Sequence, residues 1–292
     1  MNAIIAKAKT LVEALPYIQS FREAVVVVKY GGSTMEEKQN SDYILTDLTF
    51  MSCVGMRPVI VHGGGKAISR RMKEAGLQAH FVKGLRVTDA ATIAIVHDVI
   101  QTVINPEIVN RLKDKGARAR GVPGETVFQV VKRVETDPKT GETLDWGFVG
   151  DIRGVNAAPL HACFLAGEIP VITPLGRDAD GQLYNLNADD AAAAVAQALK
   201  ARKLAFLSDV PGLLRDPQDE HSIISTLRVR DVEELVKDGI IDGGMLPKIR
   251  SAVNALQSGV RKVHLIDGRL PHSLLLEIYT DAGVGTEIVH ND

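Results

Sequence analysis

Two lysines of this chain stand where an anionic ligand would explain them. Lys29 closes the run Ala24-Val25-Val26-Val27-Val28 and is followed by Tyr30-Gly31-Gly32-Ser33. Four consecutive β-branched residues read as a strand buried on both faces, as in a parallel sheet. In such sheets ligands bind beyond the carboxyl ends of the strands. The segment therefore aims an ammonium group and bare backbone N–H groups at a site suited to phosphate. Lys248 follows Asp242-Gly243-Gly244-Met245-Leu246-Pro247, in the first turn of a helix. The helix dipole disfavours a cation there, so an anion beside it accounts for the residue better than a solvated surface does.

A second glycine-rich turn, His62-Gly63-Gly64-Gly65-Lys66, comes after the apolar Pro58-Val59-Ile60-Val61. Its glycines let a ligand approach the backbone, and the helix beginning near Ala67 offers unpaired N–H donors to an anion. Neither turn has the spacing G-x-x-x-x-G-K-[ST] or G-x-G-x-x-G. Other polar residues are less specific singly. Asp189 and Asp190 open an alanine-rich helix, where capping would explain a carboxylate. Asn185 and Asn187, just before them, are suited to a polar ligand. Arg86, in Leu85-Arg86-Val87-Thr88-Asp89, is suited to a bidentate carboxylate, with Thr88 or Asp89 capping the helix that follows. The turn Ser208-Asp209-Val210-Pro211-Gly212-Leu213 follows a strand and could hold a base or ribose. The eight histidines show no metal-ligand spacing, so no protein-held transition metal is expected.

The elements that position these groups alternate along the chain: strand 24–29, helix 40–55, strand 58–61, helix 66–76, helix 89–114. That order predicts a parallel sheet covered by helices. Residues 126–133 and 143–149, joined by a turn at 137–142, read as a β-hairpin leaving the sheet. Strand 169–172, helix 188–201, strand 204–207, helices 231–237 and 245–258 and strand 262–266 complete the pattern. The expected fold is α/β: a single three-layer αβα domain with a mainly parallel open sheet, a β-hairpin excursion and an N-terminal helix extension. The extension, residues 3–15, carries Ile4, Ile5, Ala8, Leu11, Val12 and Leu15 on one stripe and is expected to end before Pro16.

Composition narrows the function classes. The 292 residues include 34 basic and 36 acidic side chains without a long single-sign run, and aromatics are 4%. This argues against a nucleic-acid or membrane partner. No apolar stretch reaches the roughly 18–20 residues that span a bilayer. Lys7 and Lys9 interrupt what would have to be a signal-peptide core. Cys53 and Cys163, each among apolar residues, read as buried reduced thiols and favour a cytoplasmic compartment.

Taken together and in this order, Lys29-Tyr30-Gly31-Gly32, His62-Gly63-Gly64-Gly65, Gly84-Leu85-Arg86-Val87-Thr88, Asn185-Leu186-Asn187-Ala188-Asp189 and Gly243-Gly244-Met245-Leu246-Pro247-Lys248 resemble the amino acid kinase family. The resemblance is closest to members acting on N-acetyl-L-glutamate in arginine biosynthesis. It implies ATP-dependent phosphorylation of the γ-carboxylate of that substrate. By matching motif it implies that Lys29 and Lys248 stabilise charge on the transferring phosphoryl group and that Asp189 holds both lysines. It implies substrate binding by Gly64, Gly65, Arg86 and Asn185, and ATP binding by Gly31, Gly32, Ser208, Asp209, Gly212 and Leu213. Mg²⁺ is expected to arrive with ATP, held largely by phosphates and water. The residues agree with this chemistry. A carboxylate acceptor with a pKa near ~4.3 is already ionised at neutral pH and needs no general base, and phosphoryl transfer asks mainly for positioning and cations.

Arginine-inhibited members are similar to this chain in two further places. The likeness implies an arginine effector site of Tyr17, His264, Glu277, Gly283 and Gly285, and a homohexamer, a trimer of dimers, linked by an oligomerisation helix at 1–20. Residues 21–292 would then form the kinase domain, its N-terminal half binding substrate and its C-terminal half ATP. Some relatives also bind a PII-type signalling protein. The residues alone leave three alternatives open. The first helix could pack on its own domain, the acceptor could be N-acetylaminoadipate or aspartate, or the chain could be a non-catalytic arginine-sensing subunit.

Overall fold

The valine run forms strand β1 (Val25–Tyr30), with Val26 and Val28 in one apolar layer and Val27 in the other. The molecule is a computed structural model that describes residues 2–82, 84–136, 141, 143–280 and 283–291. Before β1 lies helix α1 (Asn2–Phe21). After it come α2 (Lys38–Cys53), β2 (Arg57–His62), α3 (Gly65–Glu74) and the antiparallel pair β3 (Phe81–Val82) and β4 (Leu85–Arg86). The long helical stretch that follows has three parts: α4 (Ala90–Asp98), a π-helical segment (Val99–Ile104) and α5 (Asn105–Asp114). Then come β5 (Ala119–Val122), the hairpin β6 (Phe128–Thr136) and β7 (Thr143–Val155), α6 (Ala158–Leu165), β8 (Ile169–Ile172), β9 (Leu175–Arg177) and β10 (Leu183–Asn185). The last part holds α7 (Ala188–Ala198), β11 (Lys203–Ser208), β12 (Thr226–Arg228), α8 (Val232–Lys237), α9 (Met245–Gln257), β13 (Val263–Asp267), α10 (Ser273–Tyr279) and β14 (Thr286–Val289).

The main sheet has eight strands in the order β12-β14-β13-β11-β1-β2-β8-β5. Its pairs are parallel except β13 with β14. Apolar layers cover both faces, as the valine run predicts. The chain leaves β1 for β2 on one side and later returns to β11 on the other, so the strand order switches at β1. The crevice beyond such a switch is where open α/β sheets bind ligands. The hairpin does leave this sheet: with β9 and β10 it closes into a small barrel of order β10-β7-β6-β9. The turn expected at 137–142 lies outside the described residues except for Gly141.

Three expectations need correction. The first helix does not stop before Pro16 but runs through it to Phe21. Proline removes one N–H from the helix ladder, and packing of the last turn compensates. Phe21 is buried beneath the Arg202 guanidinium, 3.8 Å from its ring centroid, and the Tyr17 ring meets Tyr279 edge-on. Cys53 is exposed, and only Cys163 is buried. Cys53 ends α2 on the outer side of a helix whose buried residues are Ser41, Ile44, Leu45, Asp47, Leu48, Thr49 and Met51. The alanine-rich helix ends at Ala198, three residues short of the expected 201. Among the described residues no helix is long and apolar enough to cross a membrane.

Candidate functional site

Three elements converge at the carboxyl edge of β1. Lys29 leaves the end of that strand, Asp189 the first turn of α7, and Lys248 the first turn of α9. Lys29 Nζ lies 3.0 Å from Asp189 Oδ1, and Lys248 Nζ donates to Asp189 Oδ2 at 3.1 Å. Each oxygen of one carboxylate therefore meets its own ammonium group. This is the anion that the position of Lys248 calls for. Burial alone would raise the Asp189 carboxyl, yet the two lysines hold it below the usual range. Burial pushes the Lys248 ammonium down, and the neighbouring Lys29 adds to that, with Asp189 opposing both. Two ammonium groups and one carboxylate leave a positive charge uncompensated, in surroundings where a multivalent anion would be strongly favoured.

The glycine turns frame this cluster. Gly32 sits in the left-handed region at φ 73°, a conformation that favours glycine. A Cβ on Gly31 would stand 3.3 Å from Lys29 Nζ and 3.5 Å from the Gly63 Cα, so the two turns approach each other beside the ammonium group. Gly64 is the N-cap of α3 and brings no side-chain cap to the first-turn N–H groups. Gly65 opens that helix.

Arg86 is buried, and its guanidinium reaches the same turn. Nη2 donates to Gly65 O and to Ser69 Oγ, both at 2.8 Å. Burial pushes the guanidinium pKa down. No carboxylate among the described residues pairs with it. The hairpin fixes the segment that carries it: Thr88 N donates to Trp146 O at 2.8 Å, and Phe148 N donates to Thr88 O at 2.6 Å. Asp89 rather than Thr88 caps α4, accepting from Thr92 N at 2.7 Å. Asn185 lies on β10, paired with Val149 of the hairpin and Leu175. Asn187 is the cap of α7, its Oδ1 accepting from Asp189 N and Asp190 N. Capping therefore belongs to Asn187, and the Asp189 and Asp190 side chains are free for other partners.

Ser208 ends β11, next to β1 in the sheet, and its carbonyl accepts from Gly268 N at 2.8 Å. The turn it begins is partly explained by packing. Leu213 is buried, and its N–H donates to Thr286 Oγ1 at 2.8 Å. Gly212 has φ 149°, and a Cβ there would meet Thr286 Oγ1 at 2.7 Å. Asp209 lies at the exposed outer side of the turn.

The five residues of the expected effector site also come together, around a separate cavity of about 520 Å³. Tyr17, Glu277, Gly283 and Gly285 line it. His264 stands behind it, with Nδ1 2.6 Å from Glu277 Oε1. Burial would raise the Glu277 carboxyl, but His264, the Val284 N–H and Lys203 hold it below its ordinary value. Gly285 has a packing reason of its own, because a Cβ would fall 2.0 Å from Leu265 O. The sequence reading missed Lys203, which lines this cavity and lies 3.7 Å from Glu277 Oε1. A lone lysine opening an otherwise apolar strand was the available signal. It also missed Ser251, whose Oγ lies 2.6 Å from Asp190 Oδ1.

Residues 24–267 match the model of the amino acid kinase family. The chain is 46% identical over 290 residues to acetylglutamate kinase of Carboxydothermus hydrogenoformans, covering 98% of this chain and 99% of that protein. It is 47% identical over 287 residues to acetylglutamate kinase of Pelotomaculum thermopropionicum, covering 97% of each. Among solved structures, N-acetylglutamate synthase of Neisseria gonorrhoeae complexed with coenzyme A and N-acetyl-glutamate superimposes with a TM-score of 0.82 at 28% identity, over 98% of this chain. The chain spans 64% of that synthase. The same synthase complexed with coenzyme A and L-arginine gives a TM-score of 0.79. Carbamate kinase from Giardia lamblia bound to AMP-PNP gives 0.63 at 16% identity, a likeness of fold alone.

Proposed function

The chain belongs to the amino acid kinase family, and from that membership we propose that it transfers the γ-phosphoryl group of ATP to the γ-carboxylate of N-acetyl-L-glutamate. One carboxylate oxygen attacks the γ-phosphorus, the bond to the β,γ-bridging oxygen breaks, and its electron pair leaves with ADP. The acyl phosphate and ADP are the products. The acceptor is ionised at neutral pH, so no proton has to be removed. The demand falls on charge: negative charge spreads over the phosphoryl and bridging oxygens, and preorganised cations meet it best.

The observation that carries this reading is the pair of ammonium groups held on one buried carboxylate at the switch point of the sheet. Lys29 and Lys248 act on the transferring group, and Asp189 fixes both. Gly31 and Gly32 offer N–H groups to the ATP phosphates, and the turn from Ser208 to Leu213 lies at the nucleotide. Both oxygens of Asp189 are occupied by ammonium groups, so Mg²⁺ fits as an ion carried by ATP. Bound in that way, it would supply neutralisation of phosphate charge, with phosphates and water rather than side chains as its ligands. Arg86 takes the substrate's α-carboxylate. Its buried guanidinium already shares the glycine turn with Gly65, and Asn185 on β10 is assigned to the same substrate.

Feedback inhibition by arginine is part of the proposal. The second cavity supports it with a Glu277 carboxylate suited to a guanidinium or an α-ammonium group, and with Tyr17, which ties it to α1. A homohexamer is supported by apolar residues that α1 leaves exposed, Leu11 at 69% and Val12 at 68% among them. We place the reaction in the cytoplasm. The test is ADP release with N-acetyl-L-glutamate, N-acetylaminoadipate, aspartate or glutamate as acceptor, each with and without arginine. Selective turnover of N-acetyl-L-glutamate, suppressed by arginine, is expected. Equal or faster turnover of another acceptor would reassign the substrate.

A further inference from the structure

Asp190, beside Asp189 in the first turn of α7, has no part in the chemistry above, yet it is tied to the same helix as Lys248. Ser251 Oγ lies 2.6 Å from Asp190 Oδ1 and 3.0 Å from Pro247 O. Lys248 and Ser251 are three residues apart and share one face of α9. Neighbouring residues of α7 therefore hold α9 at two points: Asp189 takes the ammonium of Lys248, and Asp190 takes the hydroxyl one turn on. The first contact is a flexible four-carbon stem on a carboxylate, while the second is a short side chain on a short side chain and sets the distance between the two helices more closely.

Hydrogen counting adds a condition. A serine hydroxyl has one hydrogen to donate, and two acceptors face it, an Asp190 oxygen and the Pro247 carbonyl. An ionised Asp190 would leave that hydrogen shared between the two, whereas each contact becomes a full two-centre hydrogen bond when the Asp190 carboxyl carries a proton and donates it to Ser251 Oγ. The serine hydrogen then goes to Pro247 O. We propose that Asp190 is a positioning residue which, as a neutral acid, fixes Lys248 through the chain Asp190–Ser251–Pro247. This rests on the role given above to Lys248. The surroundings agree: burial raises the Asp190 pKa, the Asp189 carboxylate on α7 and Asp151 on β7 raise it further, and the Ser251 hydrogen bond and Arg133 on β6 oppose them. A neutral Asp190 also leaves Asp189 as the one anion sharing the two ammonium groups, which keeps the transfer point cationic.

Phosphoryl transfer is sensitive to displacements of about 1 Å at a charged group, which can cost roughly 10²-fold in rate. Loss of the second contact should therefore appear in kcat. Asp190→Ala and Ser251→Ala are each expected to lower kcat between about tenfold and a hundredfold, with KM for both substrates changed less than about threefold. The double variant should be no slower than the slower single one, as for residues that act as one unit. Asp190→Asn, a neutral isostere that donates N–H to Ser251, should restore kcat to within a few fold of wild type. Three results would overturn the proposal: kcat unchanged with only a lower Tm, additive losses in the double variant, or Asp190→Asn as slow as Asp190→Ala. If Asp190→Ala does not fold, Ser251→Ala against Asp190→Asn decides the same question. A wild-type protein without kinase activity would instead defeat the underlying reading of Lys248, a result that stands apart from these.

Discussion

Lys248 occupies a position that a helix makes unfavourable for a cation, and the resolution lies 59 residues earlier in the chain, at Asp189. The type and setting of Lys29 and Lys248 were legible because each breaks a local rule. The partner was not legible from the residues alone, and only the family resemblance implied Asp189. In sequence, Asp189 is one of two carboxylates at a helix start and reads as a cap, while the cap in fact is Asn187. No local pattern tells which acidic residue a lysine will meet across the fold. Lys29→Ala and Lys248→Ala are each expected to lower kcat by about 10²–10³, the scale of losing one preorganised charge at a transition state. Tm should change little, because Asp189 keeps one ammonium in either variant. Steady-state kinetics decide it, and a variant within threefold of wild type would remove that lysine from the chemistry.

At the scale of elements, the strongest patterns were read correctly and the joints between them were not. The strands beginning at Val25, Arg57, Ile169 and Lys203 each contain a continuous apolar run buried on both faces, which is plain in the sequence. The helix expected at 89–114 contains the π-helical segment Val99–Ile104, invisible to a 3.6-residue period because it changes the winding without breaking the apolar pattern. The joint has a purpose. Asn105, just past it, donates to Val171 O at 2.9 Å and lies 3.1 Å from His62 Nε2, and His62 Nδ1 lies 2.8 Å from Gly63 O. The carbonyl requires Nδ1 to carry the hydrogen, so Nε2 accepts from Asn105 and the ring is neutral. The long helix thereby anchors the start of the glycine turn. Burial depresses the His62 pKa from 6.5 to about 4, with the Gly63 carbonyl partly opposing. A base depressed in the folded state contributes stability that is present above pH 6.5 and lost as pH falls towards 4. The shift corresponds to about 3 kcal/mol. Urea unfolding at pH 7 and pH 4 should show wild type losing that much more than His62→Gln, and equal losses would deny the buried neutral ring.

For the whole molecule, the first helix joins two parts of the proposal. It carries Tyr17 to the second cavity and leaves Ile5, Leu11, Val12 and Leu15 exposed in a single copy. The stripe was legible from its period. Its continuation through Pro16 was not, because the packing of Tyr17 and Phe21 that holds the last turn is tertiary. The expected assembly is a hexamer of roughly 190 kDa, built from closed dimers of the 31.5 kDa chain. Deleting residues 1–20 should leave active dimers with weakened arginine inhibition, as measured by light scattering and inhibition curves. A truncated protein that stays hexameric would assign the contacts elsewhere.

The proposed product of this chain is an acyl phosphate on N-acetyl-L-glutamate. ADP release alone does not establish it, since hydrolysis of ATP releases ADP too. Trapping with hydroxylamine reads the new bond directly, because the acyl phosphate becomes a hydroxamate. Wild type should give hydroxamate in step with ADP when ATP, Mg²⁺ and N-acetyl-L-glutamate are present, and Lys248→Ala almost none. ADP without hydroxamate, or hydroxamate formed equally well by Lys248→Ala, would contradict it.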